Sequence, residues 1–326
     1  MKHSPISAKI IAKSKSLHTG VTIVTYELEY PRFFHSQVMT HRALSKNSSS
    51  SRAIPINRMI DLVEENTATP IHWGVNQKGM QAHVELSEHL QTIALEEWYK
   101  ARDFAIQQAR ALARLGVHKQ IVNRILEPYQ MMKVIMTGTS YDNFYALRLE
   151  SLDKSKIHAQ PEIWELARLM YEEDKKTPAL TLQKGEWHTP YYRNGYWSDV
   201  HLEEYSESLD TALKISTSCC AQVSYRLLDD SVDKALDIYK KLTESDPIHA
   251  SAFEHCATPI AYNYDIVDDS GKFYELRNVP SNSSTWDRGI THVRRDNTLC
   301  SGNLEDFIQY RQLIPKHECR NFTLKV

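Results

Sequence analysis

Apolar and polar positions alternate from Val24 to Tyr30, with Tyr26 and Leu28 between and Thr25, Glu27 and Glu29 in the gaps. That period predicts a half-buried strand ended by Pro31. After the proline, Phe33 to Leu44 reads as a helix. From Leu86 to Leu115, apolar side chains recur at Leu90, Ile93, Ala101, Phe104, Ala105, Ala109 and Leu112. The spacing predicts a long amphipathic helix stopped by Gly116. Further helices are expected from about His118, from Pro161 to Glu173, and over Val232, Ala235, Leu236, Tyr239 and Leu242. Thr177 to Asp199 holds Pro178, Pro190, Gly185, Gly195 and many aromatics, so it reads as a connector between halves or equally as a packed, aromatic-rich loop. The tail from Asp265 mixes short strand-like pieces with turn residues. Strands interspersed among dominant helices give an α/β or α+β fold class.

Composition narrows the function classes. The chain has 326 residues, 41% hydrophobic and 25% charged, enough for a sizeable core. Its 39 Lys+Arg against 41 Asp+Glu leave a formal charge of -2, so no global positive field draws a nucleic-acid polymer. The start MKHSPISAKI lacks the apolar core of a signal peptide, and no run of about 18 apolar residues occurs, so a cytoplasmic protein without a membrane partner is expected. Cys219, Cys220, Cys256, Cys300 and Cys319 form an odd set without CxxC spacing, which predicts reduced thiols and no thiolate metal site. No GxGxxG, GxxxxGK[ST] or HExxH is present, so any phosphate must be bound by another device.

The string Thr40-His41-Arg42-Ala43-Leu44-Ser45-Lys46-Asn47-Ser48-Ser49-Ser50-Ser51-Arg52 is the candidate for such a device. Basic side chains beside a hydroxyl-rich turn suit one anionic group, although a solvated serine-rich loop has the same composition. The string resembles the RHRxxSxNxxSxR signature of flavin-dependent thymidylate synthases, with Gln37 upstream and His41, Arg42, Ser45, Asn47, Ser50 and Arg52 in register. A second stretch is similar to the same family: Arg124-Ile125-Leu126 with Pro128, then Asn143 to Arg148, then His158-Ala159-Gln160 with Glu162-Ile163. A third comes out of order. The block Ala221-Gln222-Val223-Ser224-Tyr225, a helix, and His249 to His255 follow these motifs, whereas the family has that block before them. The resemblance therefore implies a circular permutation: one interwoven domain over 1–326, with a nucleotide and flavin half at 1–175, a connector at 176–214, and the histidine block and a C-terminal extension at 215–326.

The resemblance implies FAD as cofactor, with NADPH and methylenetetrahydrofolate as co-substrates and a pyrimidine deoxynucleotide, dUMP, as substrate. It places His41, Arg42, Asn47, Asn143, Ser224 and His255 at flavin positions. Gln37, Ser50, Ser51, Arg52, Arg124 and Arg148 fall at nucleotide positions, with Arg148 the residue that activates the uracil ring. It further implies a homotetramer. Departures stand beside the matches: Thr40 replaces the first arginine of RHR, Ser48 a glutamate, Ala53 a tyrosine, and Thr139 a flavin-holding arginine. Each lost guanidinium removes a fixed charge and a forked donor, and Arg288, Arg294 and Arg295 are the cations expected to compensate. The departures leave room for hydroxymethylation of a pyrimidine deoxynucleotide, dUMP or dCMP, or for a non-catalytic relative. The segment Trp73 to Met80 receives no role.

Overall fold

The computed structural model describes residues 6–151, 158–199, 208–224, 228–262, 279 and 282–323. Tyr225, the side chain of Ser224, residues 200–207 of the expected connector, and the start of the tail at Asp265 lie outside the described residues.

Ten-residue strands β1 (Ser7–Ser16) and β2 (Thr22–Pro31) form the centre of a five-stranded sheet. Its order is β3-β4-β2-β1-β5, with β3 at Ser45–Ser48, β4 at Met131–Gly138 and β5 at Leu180–Leu182. All pairings are antiparallel except β1 with β5. The helices in order are α1 (His35–Met39), α2 (Ile56–Glu65), α3 (Glu88–Arg114), α4 (Lys119–Val122), α5 (Asp142–Arg148), α6 (Pro161–Lys176), α7 (Leu209–Ala221) and α8 (Val232–Thr243). Short strands β6 (Trp187–His188), β7 (Tyr196–Trp197), β8 (Ala257–Pro259) and β12 (Phe307–Gln309) make a second sheet. A third holds β9 (His292–Val293), β10 (Leu299–Ser301) and β11 (Leu304–Glu305). The architecture is α+β, and no helix among the described residues is long and apolar enough to cross a membrane.

The alternation in β2 sorts its two faces. Tyr26, Leu28 and Tyr30 are fully buried and pack with Met132, Val134 and Met136 of β4 against Ile163, Leu166 and Met170 of α6. Strict two-residue periodicity makes this possible, since one face of each strand then presents only apolar groups to the helix. A smaller core joins Met59, Ile60 and Val63 of α2 to Ala105, Ile106 and Ala109 of α3. A third unites Trp187, Leu213, Ile248, Phe253 and Tyr310 from the C-terminal half.

Two expected helices are shorter than the spacing predicts. The segment 33–44 is helical only to Met39, where Thr40 Oγ1 donates to the Gln37 carbonyl oxygen at 2.6 Å, and the chain then turns. The turn is fixed from outside: Lys46 Nζ bonds the carbonyl oxygens of His41 and Leu44, and Leu44 packs so closely on Gly138 that a Cβ there would meet it at 2.5 Å. Tertiary contacts override local propensity here. The helix expected from His118 is the single turn α4, after which Asn123, fully buried, spends its amide on the carbonyl oxygens of Ser51 (2.7 Å) and Ile54 (2.9 Å). The segment from Thr177 to Asp199 is packed: β5 extends the main sheet, and the β6–β7 hairpin presses Gly195 against Ala12. At Gly195, φ is +88° and a Cβ would sit 2.8 Å from that of Ala12, so only glycine fits this approach.

Candidate functional site

The polar face of β2 is where chemistry collects. Thr25, Glu27 and Glu29 point away from α6; Thr25 is fully buried beneath His188, whereas Glu27 and Glu29 are half-buried. Tyr191 donates its hydroxyl to the Glu27 carboxylate, and Lys133 lies 3.6 Å from the same group.

One cluster forms around the turn after β3. Ala53 N–H donates to the Ser50 carbonyl oxygen at 3.0 Å, which folds the chain so that Ser51 is buried and Arg52 exposed. Asn123 and Lys119 hold this turn, the latter through the Ala53 carbonyl oxygen at 2.9 Å, so Arg124 follows directly beside it. Three donors meet on Glu127 Oε1: Arg124 at 2.8 Å, Arg32 at 3.0 Å and the Ser51 hydroxyl at 3.1 Å. Ser51 and Arg32 also line a small cavity of about 40 Å³, together with Glu29, Ser49, Lys133 and Val223. Val223 belongs to a 3-10 turn, Gln222–Ser224, so the block that ends near Ser224 reaches the same cavity from the far half of the sequence. Two guanidinium groups and a hydroxyl around one carboxylate oxygen form an anion cradle.

A second cluster lies at the end of α5. Arg148 Nε donates to His41 Nε2 at 3.2 Å, across 107 residues of sequence, and the His41 ring stands edge-on to Phe144 at 4.8 Å. Burial, then the charges of Arg148 and Lys46, lower the His41 pKa to about 4, so the ring is neutral and accepts this bond at pH 7. Burial also lowers Lys46 to about 8. Asn143 is exposed at the start of α5, one residue past Asp142, and the N-cap position is Tyr141. Arg42 is exposed on the neighbouring turn. Gln37 donates to Gln160, whose own amide donates to the buried Glu162 at 2.8 Å.

Two expected ligand contacts are engaged internally. The Asn47 amide donates to the Cys220 carbonyl oxygen at 3.3 Å and so pins α7 to β3. His255 is fully buried; its Nδ1 bonds Thr137 at 2.8 Å, and its Nε2 has no partner. Burial holds its pKa at about 3. The C-terminal extension closes over the same loop. Asn303 donates to the Ala43 carbonyl oxygen at 2.9 Å, Ser45 donates to Asn303 at 3.1 Å, and the Glu305 amide donates to Thr139 Oγ1 at 3.0 Å. Thr139 therefore docks β11. Arg294 pairs at 2.8 Å with Glu305, the residue whose amide bonds Thr139; Arg288 bonds the Leu313 carbonyl oxygen at 2.8 Å, and Arg295 is exposed.

The donors present fit an anionic, flat-ringed group such as FAD in kind. Arg42 and Asn143 offer exposed donors beside the neutral His41, and the partnerless His255 Nε2 is an orphaned polar atom of the sort a ligand or water satisfies. No group of three or more His, Cys, Asp or Glu able to hold a metal occurs among the described residues. Sequence reasoning missed Arg32, Glu127 and Lys133 in the cradle, and Thr25, Thr137 and His188 beside His255. The signal for Lys133 and Thr137 was available: both sit out of phase with the apolar Met132, Val134 and Met136 of β4.

No protein-family model matches the chain, and no curated protein matches it. Among solved structures the chain is similar to a UMP/dUMP methylase, PolB, from Streptomyces cacaoi bound with 5-Br UMP, at 18% identity and TM-score 0.45, over 55% of this chain and 91% of that one. The same methylase bound with 5-Br dUMP aligns at 16% identity and TM-score 0.44, over 55% and 92%. Likeness at this level carries neither fold nor chemistry across.

Proposed function

We propose that the chain is an enzyme of the flavin-dependent thymidylate synthase type, converting dUMP to dTMP with FAD as cofactor and NADPH and methylenetetrahydrofolate as co-substrates. The observation that carries this reading is the cradle: Ser51 and Arg124, two positions that the motif resemblance assigns to the nucleotide, converge on one carboxylate oxygen at a cavity edge. Glu127 Oε1 there stands in for a phosphate oxygen. In this reading Arg124, Arg32, Ser51 and the exposed Arg52 hold the phosphate, and the motif resemblance assigns Arg148 to the pyrimidine.

Arg148 is a guanidinium and stays charged at any working pH, so it stabilises negative charge developing on the uracil ring and cannot serve as a titrating base. His41 orients it, and being neutral adds no competing charge. Arg42 and Asn143 bind and orient the flavin, which when bound supplies the hydride. Thiolate attack on the ring is disfavoured by the chain itself. Burial raises Cys219 to about 12 and Cys256 to about 11, and pushes Cys220 well above its ordinary value, so these thiols keep their protons. A homo-oligomer, taken as a tetramer, is part of the proposal. Its support is α3, which leaves Leu90, Ile93 and Phe104 exposed at 47%, 41% and 63%.

The test is product analysis. Purified protein is incubated with dUMP, dCMP, methylenetetrahydrofolate and NADPH, its flavin absorbance recorded, and the nucleotide product weighed. A methylated dUMP product supports the proposal; a hydroxymethyl product reassigns the reaction within C5 chemistry; no flavin binding and no product overturn it.

A further inference from the structure

Five buried polar side chains run in single file through the sheet to His255. His255 Nδ1 bonds Thr137 Oγ1 at 2.8 Å, Thr137 bonds Thr25 at 2.7 Å, Thr25 bonds His188 Nε2 at 2.8 Å, and His188 Nδ1 bonds Ser14 at 2.9 Å. They come from five separate segments, β4, β2, β6, β1 and the turn before β8, and each is at most 1% exposed. Thr25 and Thr137 face one another in register across β2 and β4. Burial lowers both histidines to about 3, and the charge of His255 also lowers His188, so both rings are neutral at pH 7.

A neutral imidazole has one N–H and one bare nitrogen, and a hydroxyl has one proton to donate. Four bonds and five protons therefore leave one proton unpaired. With the protons all pointing one way, it lies at an end of the file: on the Ser14 hydroxyl, when both rings carry their proton on Nδ1, or on His255 Nε2, when both carry it on Nε2. A reversal in the middle gives a threonine two incoming donors and turns its own proton out between strands, where a buried donor without an acceptor costs about 1–3 kcal/mol. At the Ser14 end a hydroxyl can rotate, whereas an imidazole N–H is fixed by its ring. The Nδ1–H order is thus preferred, and it leaves a lone pair on His255 Nε2.

We propose that His188 is a positioning residue for His255: through Thr25 and Thr137 it fixes the tautomer of His255, and the two rings carry their proton on the same nitrogen. Under the flavoenzyme reading, on which only this extension rests, the unpartnered lone pair would accept from a ring imide N–H, a group that flavin and uracil share.

The test is nitrogen-15 NMR of histidine-labelled protein without ligand, the rings assigned by loss of signal in His188→Gln and His255→Gln. Both rings should show a protonated Nδ1 and a bare Nε2 at pH 7. Thr25→Val, which keeps the shape and removes one hydroxyl, should abolish the single tautomer of His255 two bonds away, and Thr25→Ser should restore it. Opposite tautomers in the wild-type protein, or a charged ring, overturn the proposal without needing any variant to fold. An unchanged His255 spectrum in folded Thr25→Val overturns it as well. Separate additions of FAD and dUMP then show which ring perturbs His255 Nε2. If neither binds while the wild-type tautomers agree, the functional reading fails and the relay stands.

Discussion

Replacing Glu127 with glutamine should tighten nucleotide binding. In the structure its Oε1 occupies the position where Arg32, Arg124 and Ser51 converge, at 3.0, 2.8 and 3.1 Å. A phosphate entering the cradle must displace a carboxylate or lie beside it. For a phosphate charge near -2 held about 5 Å from a unit negative charge, Coulomb's law gives about 1.7 kcal/mol in water and several-fold more at a lower effective dielectric. The Arg124 side chain is 53% exposed and that of Glu127 24%, so the watery end of this range applies. Glutamine keeps an oxygen acceptor and loses the charge, and the gain of about 1–2 kcal/mol corresponds to a dissociation constant for dUMP about 5–30-fold lower. Weakening two partly exposed ion pairs costs about 1 kcal/mol of folding stability, so the variant should melt slightly earlier. Calorimetric titration of dUMP into both proteins measures the effect, and the gap should narrow at high salt as the charges are screened. Equal or weaker binding by folded Glu127→Gln would refute the reasoning, because it would mean that the carboxylate organises the arginines for the nucleotide and does not compete with it.

Arg148→Lys keeps the charge but loses the planar fork that lets one side chain hold His41 and still face a ring; single-turnover transfer at saturating dUMP should fall about a hundredfold or more while FAD content is retained, and an unchanged rate would remove Arg148 from the chemistry. Replacing all five cysteines with serine or alanine should leave turnover within about tenfold if the protein folds, since Cys219, Cys220 and Cys256 are buried thiols that keep their protons; a folded, flavin-loaded but inactive variant would point to thiolate addition. Stability should drop on acidification. His35 and His41 are lowered to about 4 and His188 and His255 to about 3, all from 6.5, so below pH 6.5 the unfolded chain binds protons that the folded one refuses. Their contribution is fully present above pH 6.5 and is lost as pH falls toward 3, with a slope of up to about 1.4 kcal/mol per pH unit for each histidine. Urea denaturation at pH 7 and pH 5 checks this, and equal or greater stability at pH 5 would contradict it.

The sequence by itself determined the elements whose periodicity is long and strict. The apolar face of β2 is the one that packs on α6, and α3, α6 and α8 fall where the helical spacing put them. It also singled out His41 and Arg148, although nothing in either local string says that they touch. Only the tertiary structure decided what covers the other face of β2. Alternation reports that Thr25, Glu27 and Glu29 share a side, and polar residues on one side ordinarily mean solvent. Here Thr25 is fully buried, because Thr137 and His188 satisfy its hydroxyl. Partners 112 and 163 residues away leave no trace in the local pattern. Glu127 eluded the sequence for the same reason: as one acidic residue after α4 it resembles any surface charge, until the turn pinned by Asn123 brings Ser51, and the end of β2 brings Arg32, to its carboxylate. Periodicity encodes which residues share an environment, because it follows from backbone geometry alone. The identity of that environment depends on hydrogen bonds between segments remote in sequence, and those exist only once the chain has closed on itself.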